Sequence, residues 1–182
     1  MKCRVGALIL MFLMCWASQS SAQPKLTKKE NLKHSLCKST EHVVFSCQLK
    51  NYIASVCASE NLSKTSGYIQ YRFGMKGKIQ VQVPAKKIGD RINVSYEAQT
   101  AGASGIMNTL QFQSGNYYYQ VSSSSYRSDE VSENGSSIWI SEDSVIARNQ
   151  NRELFDRLCT NYIFPIDENW LYGKIKTKET LQ

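Results

Sequence analysis

Apolar and polar residues alternate most regularly between Gly67 and Pro84, GYIQYRFGMKGKIQVQVP. Tyr68, Gln70 and Arg72 interleave with Ile69, Tyr71 and Phe73. Past Gly74-Met75-Lys76-Gly77, Lys78, Gln80 and Gln82 interleave with Ile79, Val81 and Val83. A period of two marks strands with one dry and one wet face, and the glycines suit a short hairpin turn. The pattern predicts a central hairpin whose Ile69, Tyr71, Phe73, Ile79, Val81 and Val83 build an apolar face. Tyr68, Gln70, Arg72, Lys78, Gln80 and Gln82 are then left to solvent as a polar binding patch.

The same pattern places a hairpin over Val43–Leu49 and Tyr52–Ala58, turning at Lys50-Asn51, and a strand over Ile92–Ala98. Ile106–Gln113 and Tyr117–Ser123 make a third hairpin around Ser114-Gly115-Asn116. Short strands follow at Ser137–Ile140 and Val145–Ala147, separated by a turn at Glu142-Asp143. The loop Gln99–Gly105 and the Ser-rich, acidic excursion Ser122–Ser136 lie between them. Leu154, Phe155, Leu158 and Cys159 share one helical face, so a helix capped by Asn149 or Asn151 is expected through Leu158. The fold class expected is mainly β: an antiparallel barrel or sandwich of about eight or nine short strands with one C-terminal helix.

The N-terminus changes the domain picture. Lys2 and Arg4 precede an apolar run, Val5–Trp16, and then small residues ending in Ser20-Ser21-Ala22. That is the grammar of a secretory signal peptide over residues 1–22. The run is shorter than the roughly 20 residues of a membrane span, and no other candidate span follows. Residues 23–41 read as a basic arm, and 42–182 as a single β domain with helix and tail. Cleavage leaves Cys37, Cys47, Cys57 and Cys159, an even count that argues for two disulfides in an exported protein, periplasmic or secreted. Cys47–Cys57 would close the first hairpin and Cys37–Cys159 would tie the arm to the helix.

Net charge is +7. From Gln23 to Arg91 there are thirteen Lys and Arg against four acids; from Ile92 onward, seven against eleven. This polarity suits an anionic partner.

Catalytic chemistry finds little support. Only His34 and His42 are present, too few for a zinc set once the thiols are bonded. No serine sits in a G-x-S-x-G elbow. The acids Asp129, Glu130, Glu133, Glu142 and Asp143 lie in segments that read as solvated, with no apolar pocket to raise a pKa. No phosphate loop occurs. The expectation is a protein that is not an enzyme, with no cofactor, metal site or nucleic-acid partner. Three sequons, at Asn61, Asn93 and Asn134, carry no expectation of glycans.

FSCQL (Phe45–Leu49), SVCAS (Ser55–Ser59) and GYIQYRFG (Gly67–Gly74) resemble a group of small exported proteins of Gram-negative bacteria, most of unknown function. That group carries two cysteines in its C-terminal third. Here only Cys159 lies there, with Cys37 in the arm, so the resemblance does not carry the second disulfide across. The general type is similar to periplasmic lysozyme inhibitors and immunity proteins, which implies a protein partner: a cell-wall hydrolase or secreted effector whose cleft is occluded. Candidate contacts are Tyr68, Arg72 and Lys78 on the hairpin and Asp129, Glu130 and Glu133 in the excursion. The alternative is an envelope-binding module that holds peptidoglycan or lipopolysaccharide through the basic half.

Overall fold

A computed structural model describes residues 27–85, 94–100, 105–131, 137–161 and 163–175. The expected signal peptide, the start of the arm, Glu133, residues 101–104 and the turn expected at 86–90 lie outside the described residues.

Two antiparallel sheets stack into a sandwich; the structure does not close into a barrel. The first contains β1 (Glu41–Leu49), β2 (Tyr52–Ser59), β3 (Ile69–Met75) and β4 (Lys78–Val83), with the two-residue β10 (Ile163–Phe164) returning beside β1. The second contains β5 (Val94–Thr100), β6 (Ile106–Ser114), β7 (Tyr117–Val131), β8 (Ser137–Asn149) and β9 (Arg152–Leu158). Apart from β10, each is a meander in which neighbours in sequence are neighbours in space. The helices are short: α1 (Lys28–Lys33) and α2 (Glu168–Leu171).

The central hairpin forms much as the alternation predicts. Tyr71 pairs with Val83 and Phe73 with Val81. A bulge after Phe73 breaks the pattern: Ile79 pairs with Gly74 rather than joining the apolar row, and is 45% exposed. A Cβ on Gly74 would lie 2.9 Å from the Ile79 Cα, so this close crossing requires glycine. The other apolar residues enter the core, where Phe45, Val56, Ile69, Tyr71 and Val83 meet Leu110, Phe112, Val121 and Val145 of the second sheet. The Tyr71 ring stands 5.2 Å from Tyr119 and 5.9 Å from Phe112, and Phe73 lies 5.4 Å from Phe155.

Three expectations fail. Residues 152–158 form an edge strand, not a helix. Gln150, at φ 51°, and Asn151 make a two-residue turn that sets Arg152 opposite Asn149, and β8 offers free backbone partners. Leu154 and Leu158, the intended helix face, are 47% and 59% exposed. The helix near the C-terminus is instead α2, where the Asp167 side chain accepts the Trp170 N–H at 3.2 Å. The described part of the excursion is likewise strand: β7 runs unbroken through the serines to Val131, and β8 runs through Glu142-Asp143 without a turn. Cross-strand hydroxyl pairs such as Thr109–Ser122 at 3.2 Å stabilise the register there.

The disulfides use the four expected cysteines in the other pairing, Cys37–Cys57 and Cys47–Cys159. Cys47 stands opposite Ala54, three residues from Cys57. An odd offset puts the two thiols on opposite faces of the sheet. Cys47 points into the sandwich and reaches Cys159 after β9, while Cys57 points outward and reaches Cys37 in the arm.

Candidate functional site

The β3 half of the hairpin's polar face is covered rather than solvent-exposed, whereas Lys78 and Gln80 on β4 stay exposed. The arm folds across it, beginning with α1, whose Thr27 cap accepts from the Glu30 N–H at 3.4 Å. Cys37–Cys57 fastens the arm, the Leu36 N–H donates to Ser55 Oγ at 3.0 Å, and Ser46 Oγ donates to the His34 carbonyl at 2.8 Å. Lys76 reaches back to donate to the Leu32 carbonyl at 2.9 Å and to that of Ser35.

Beneath the arm, Arg72 is 1% and Glu41 0% exposed. The guanidinium makes two 2.7 Å bonds to the carboxylate and reaches Gln70 Oε1 at 2.8 Å and the Leu36 carbonyl at 3.0 Å. The Lys38 N–H and Tyr68 hydroxyl also donate to Glu41, at 2.7 and 2.6 Å. Burial pushes the Glu41 carboxyl up. Bonds from Arg72, the Lys38 amide and Tyr68, together with the Arg72 charge, outweigh it and hold the group at about 2. Arg72 is therefore a structural ion pair and not a partner contact, and the Tyr68 hydroxyl is engaged with the same carboxylate. Of the three hairpin candidates, Lys78 alone is exposed.

Cys37, Glu41 and Cys57 lie close enough to resemble a metal set. The cysteines are bonded to each other and Arg72 occupies the carboxylate, so the donors do not fit an ion. Both histidines are half-buried. His42 Nε2 lies 3.1 Å from Asp167 and its ring stacks on Trp170 at 4.0 Å, with the Lys174 ammonium 3.5 Å over the indole. This cluster docks α2 against β1.

Asp143, expected in a solvated turn, is buried beside Ser123, and its Oδ1 has no hydrogen-bond partner among the described residues. Burial raises its pKa, opposed by a hydrogen bond from Ser123.

The excursion supplies the most prominent feature. β6 accompanies β7 only to Ser125, and β9 accompanies β8 only to Ser144. Beyond those rungs, among the described residues, β7 and β8 pair with each other alone: Tyr126 with Ile140, Arg127 with Trp139 and Val131 with Ser137. Six residues of strand project roughly 20 Å. Asp129 and Glu130 fall on the distal part of β7, so the ribbon carries two of the three acidic candidates and none of the hairpin ones. The signal for it is weak in sequence, because the four consecutive serines Ser122–Ser125 carry no apolar alternation.

No protein-family model, curated protein or solved structure matches this chain. The two disulfides indicate an oxidising, exported setting, and no helix among the described residues is long and apolar enough to cross a membrane.

Proposed function

We propose that this is an exported, non-enzymatic binding protein, an inhibitor or immunity protein that occludes the cleft of an enzyme or effector attacking the cell envelope. The observation supporting it is the β7–β8 ribbon, which extends past both neighbouring strands from a core cross-linked by Cys47–Cys159. A ribbon anchored in a braced sandwich loses little conformational freedom on binding, which favours tight occlusion. Asp129 and Glu130 near its end suit a basic partner such as a lysozyme-like hydrolase. The resemblance of FSCQL, SVCAS and GYIQYRFG to small Gram-negative exported proteins supports a periplasmic location within this reading.

The test is a pull-down from periplasmic and secreted fractions with the oxidised chain in ~0.3 M salt, which screens loose surface charge. One hydrolase at equal stoichiometry, lost when residues 128–138 are replaced by a two-residue turn, is the expected result. A complex that survives the shortening, or no protein recovered at all, overturns it.

A further inference from the structure

On the outer face of the second sheet, away from the ribbon, lies a depression of about 460 Å³. Its floor is two rungs of the β6–β7–β8 ladder: Gln113, Tyr118 and Arg148 on one, Gln111, Gln120 and Ile146 on the other. The volume falls in the range of roughly 300–1,000 Å³ typical of small-ligand sites. No described element covers this face, in contrast to the arm on the first sheet.

The side chains there orient one another. Gln113 Nε2 donates to the Tyr118 hydroxyl at 3.0 Å and to the Gly115 carbonyl at 3.2 Å. Gln111 Nε2 donates to Gln120 Oε1 at 3.2 Å, and Gln120 Nε2 to Ser122 Oγ at 3.1 Å. The result is a pre-set array of planar amides beside a tyrosine ring that is 44% exposed.

This chemistry selects among ligands. An apolar ligand would desolvate the amides without replacing their hydrogen bonds. A nucleic acid or phosphate would want clustered cations, whereas the lining holds one, Arg148, with Glu153 only 4.0 Å away. Sugar hydroxyls donate and accept together, as amides do, and the apolar face of a sugar ring can lie on Tyr118. Same-face rungs stand about 7 Å apart, which is suited to adjacent rings of a chain. No Asp or Glu lines the depression, so the paired carboxylates of glycoside hydrolysis are missing and the ligand is held, not cut.

We infer that the outer face of the second sheet is a saccharide-binding site that takes a short, largely uncharged glycan across Gln111, Gln113, Tyr118, Gln120 and Arg148. It is separate from the ribbon, so the protein can rest on a glycan while the ribbon engages its partner.

The test is NMR titration of the oxidised chain with chitotetraose, with maltotetraose and inorganic phosphate as further probes. Saturable shifts of the Gln111, Gln113 and Gln120 side-chain amides are expected with at least one of the sugars. Tyr118→Ala and Gln113→Ala should each weaken that binding about five-fold or more, with melting temperature unchanged, and Lys78→Ala should leave it alone. The inference is overturned if neither sugar shifts these amides up to ~10 mM, a concentration that reveals even feeble sites. It is also overturned if the shifts map elsewhere, or if phosphate displaces the sugar and so identifies an anion site.

Discussion

The outer face of the first sheet carries Glu41, Ser46, Ser55, Gln70 and Arg72; that of the second carries Gln111, Gln113, Tyr118, Gln120 and Arg148. In sequence both are polar rows alternating with apolar ones, yet in the structure one is sealed and the other open. The sealed face has polar partners in the arm for its polar groups, including a backbone N–H for the Glu41 carboxylate and a carbonyl for Arg72. The open face satisfies many of its groups within itself, amide to amide along the strands. A polar face thus becomes interior when a second segment brings complementary donors and acceptors, and stays a surface when its side chains answer one another. Stability should depend on the first face, and binding on the second.

The largest effects belong to cross-links and charges in the interior. Removing Cys47–Cys159 with a double alanine replacement releases a loop of 112 residues and should lower stability by about 5 kcal/mol in urea denaturation. The shorter link that fastens the arm, Cys37–Cys57 at a separation of 20, should contribute about 3 kcal/mol. Glu41→Ala strands the buried guanidinium and should cost about 3–5 kcal/mol. If it cost no more than an exposed substitution, the contrast between the faces would fail.

The two buried acids sharpen the contrast through pH. Glu41 has its folded pKa lowered to about 2 from 4.5. Its stabilisation is complete above the unfolded value and is lost as pH falls from about 4.5 towards 2. Asp143 is shifted the other way by burial, so it opposes folding once ionised and ceases to do so as it is protonated. Asp143→Asn should therefore raise stability at neutral pH by about 1 kcal/mol, with the gain shrinking in acid. Denaturation midpoints followed from pH 7 to 3 would show the wild type and D143N converging while Glu41→Gln diverges most at neutral pH. Smallest of all, Gln113→Ala on the open face should change stability by no more than about 0.5 kcal/mol.

These contrasts also explain what could be read in advance. Alternation located the strands of the first sheet and the hairpin registers, because one side of each is apolar. It assigned Arg72 to solvent because period two separates two faces without saying what covers either, and the covering arm lacks any periodicity of its own. Residues 152–158 read as helix because Leu154, Phe155 and Leu158 match helical spacing; an available strand edge and a tight Gln150-Asn151 turn decide otherwise. The ribbon was hidden because serine is a weak strand former, and the run that leads into it is kept extended by pairing with β6 and β8 on either side. The disulfide pairing was legible in part. With the turn at Lys50-Asn51, parity sets Cys47 and Cys57 on opposite faces and removes a bond between them, but it leaves two pairings, and the path of the arm across the outer face selects Cys37–Cys57.

That parity has a consequence for biogenesis. The chain is made from its N-terminus, so Cys37, Cys47 and Cys57 are available while Cys159 is still 112 residues behind Cys47, a delay of roughly 5–20 s at ordinary synthesis rates. During it three thiols compete for one native bond. A hairpin closes in microseconds, and once β1 and β2 pair, Cys47 is turned away from Cys57. The strand pair itself proofreads the oxidation, holding one thiol in reserve for a partner not yet made.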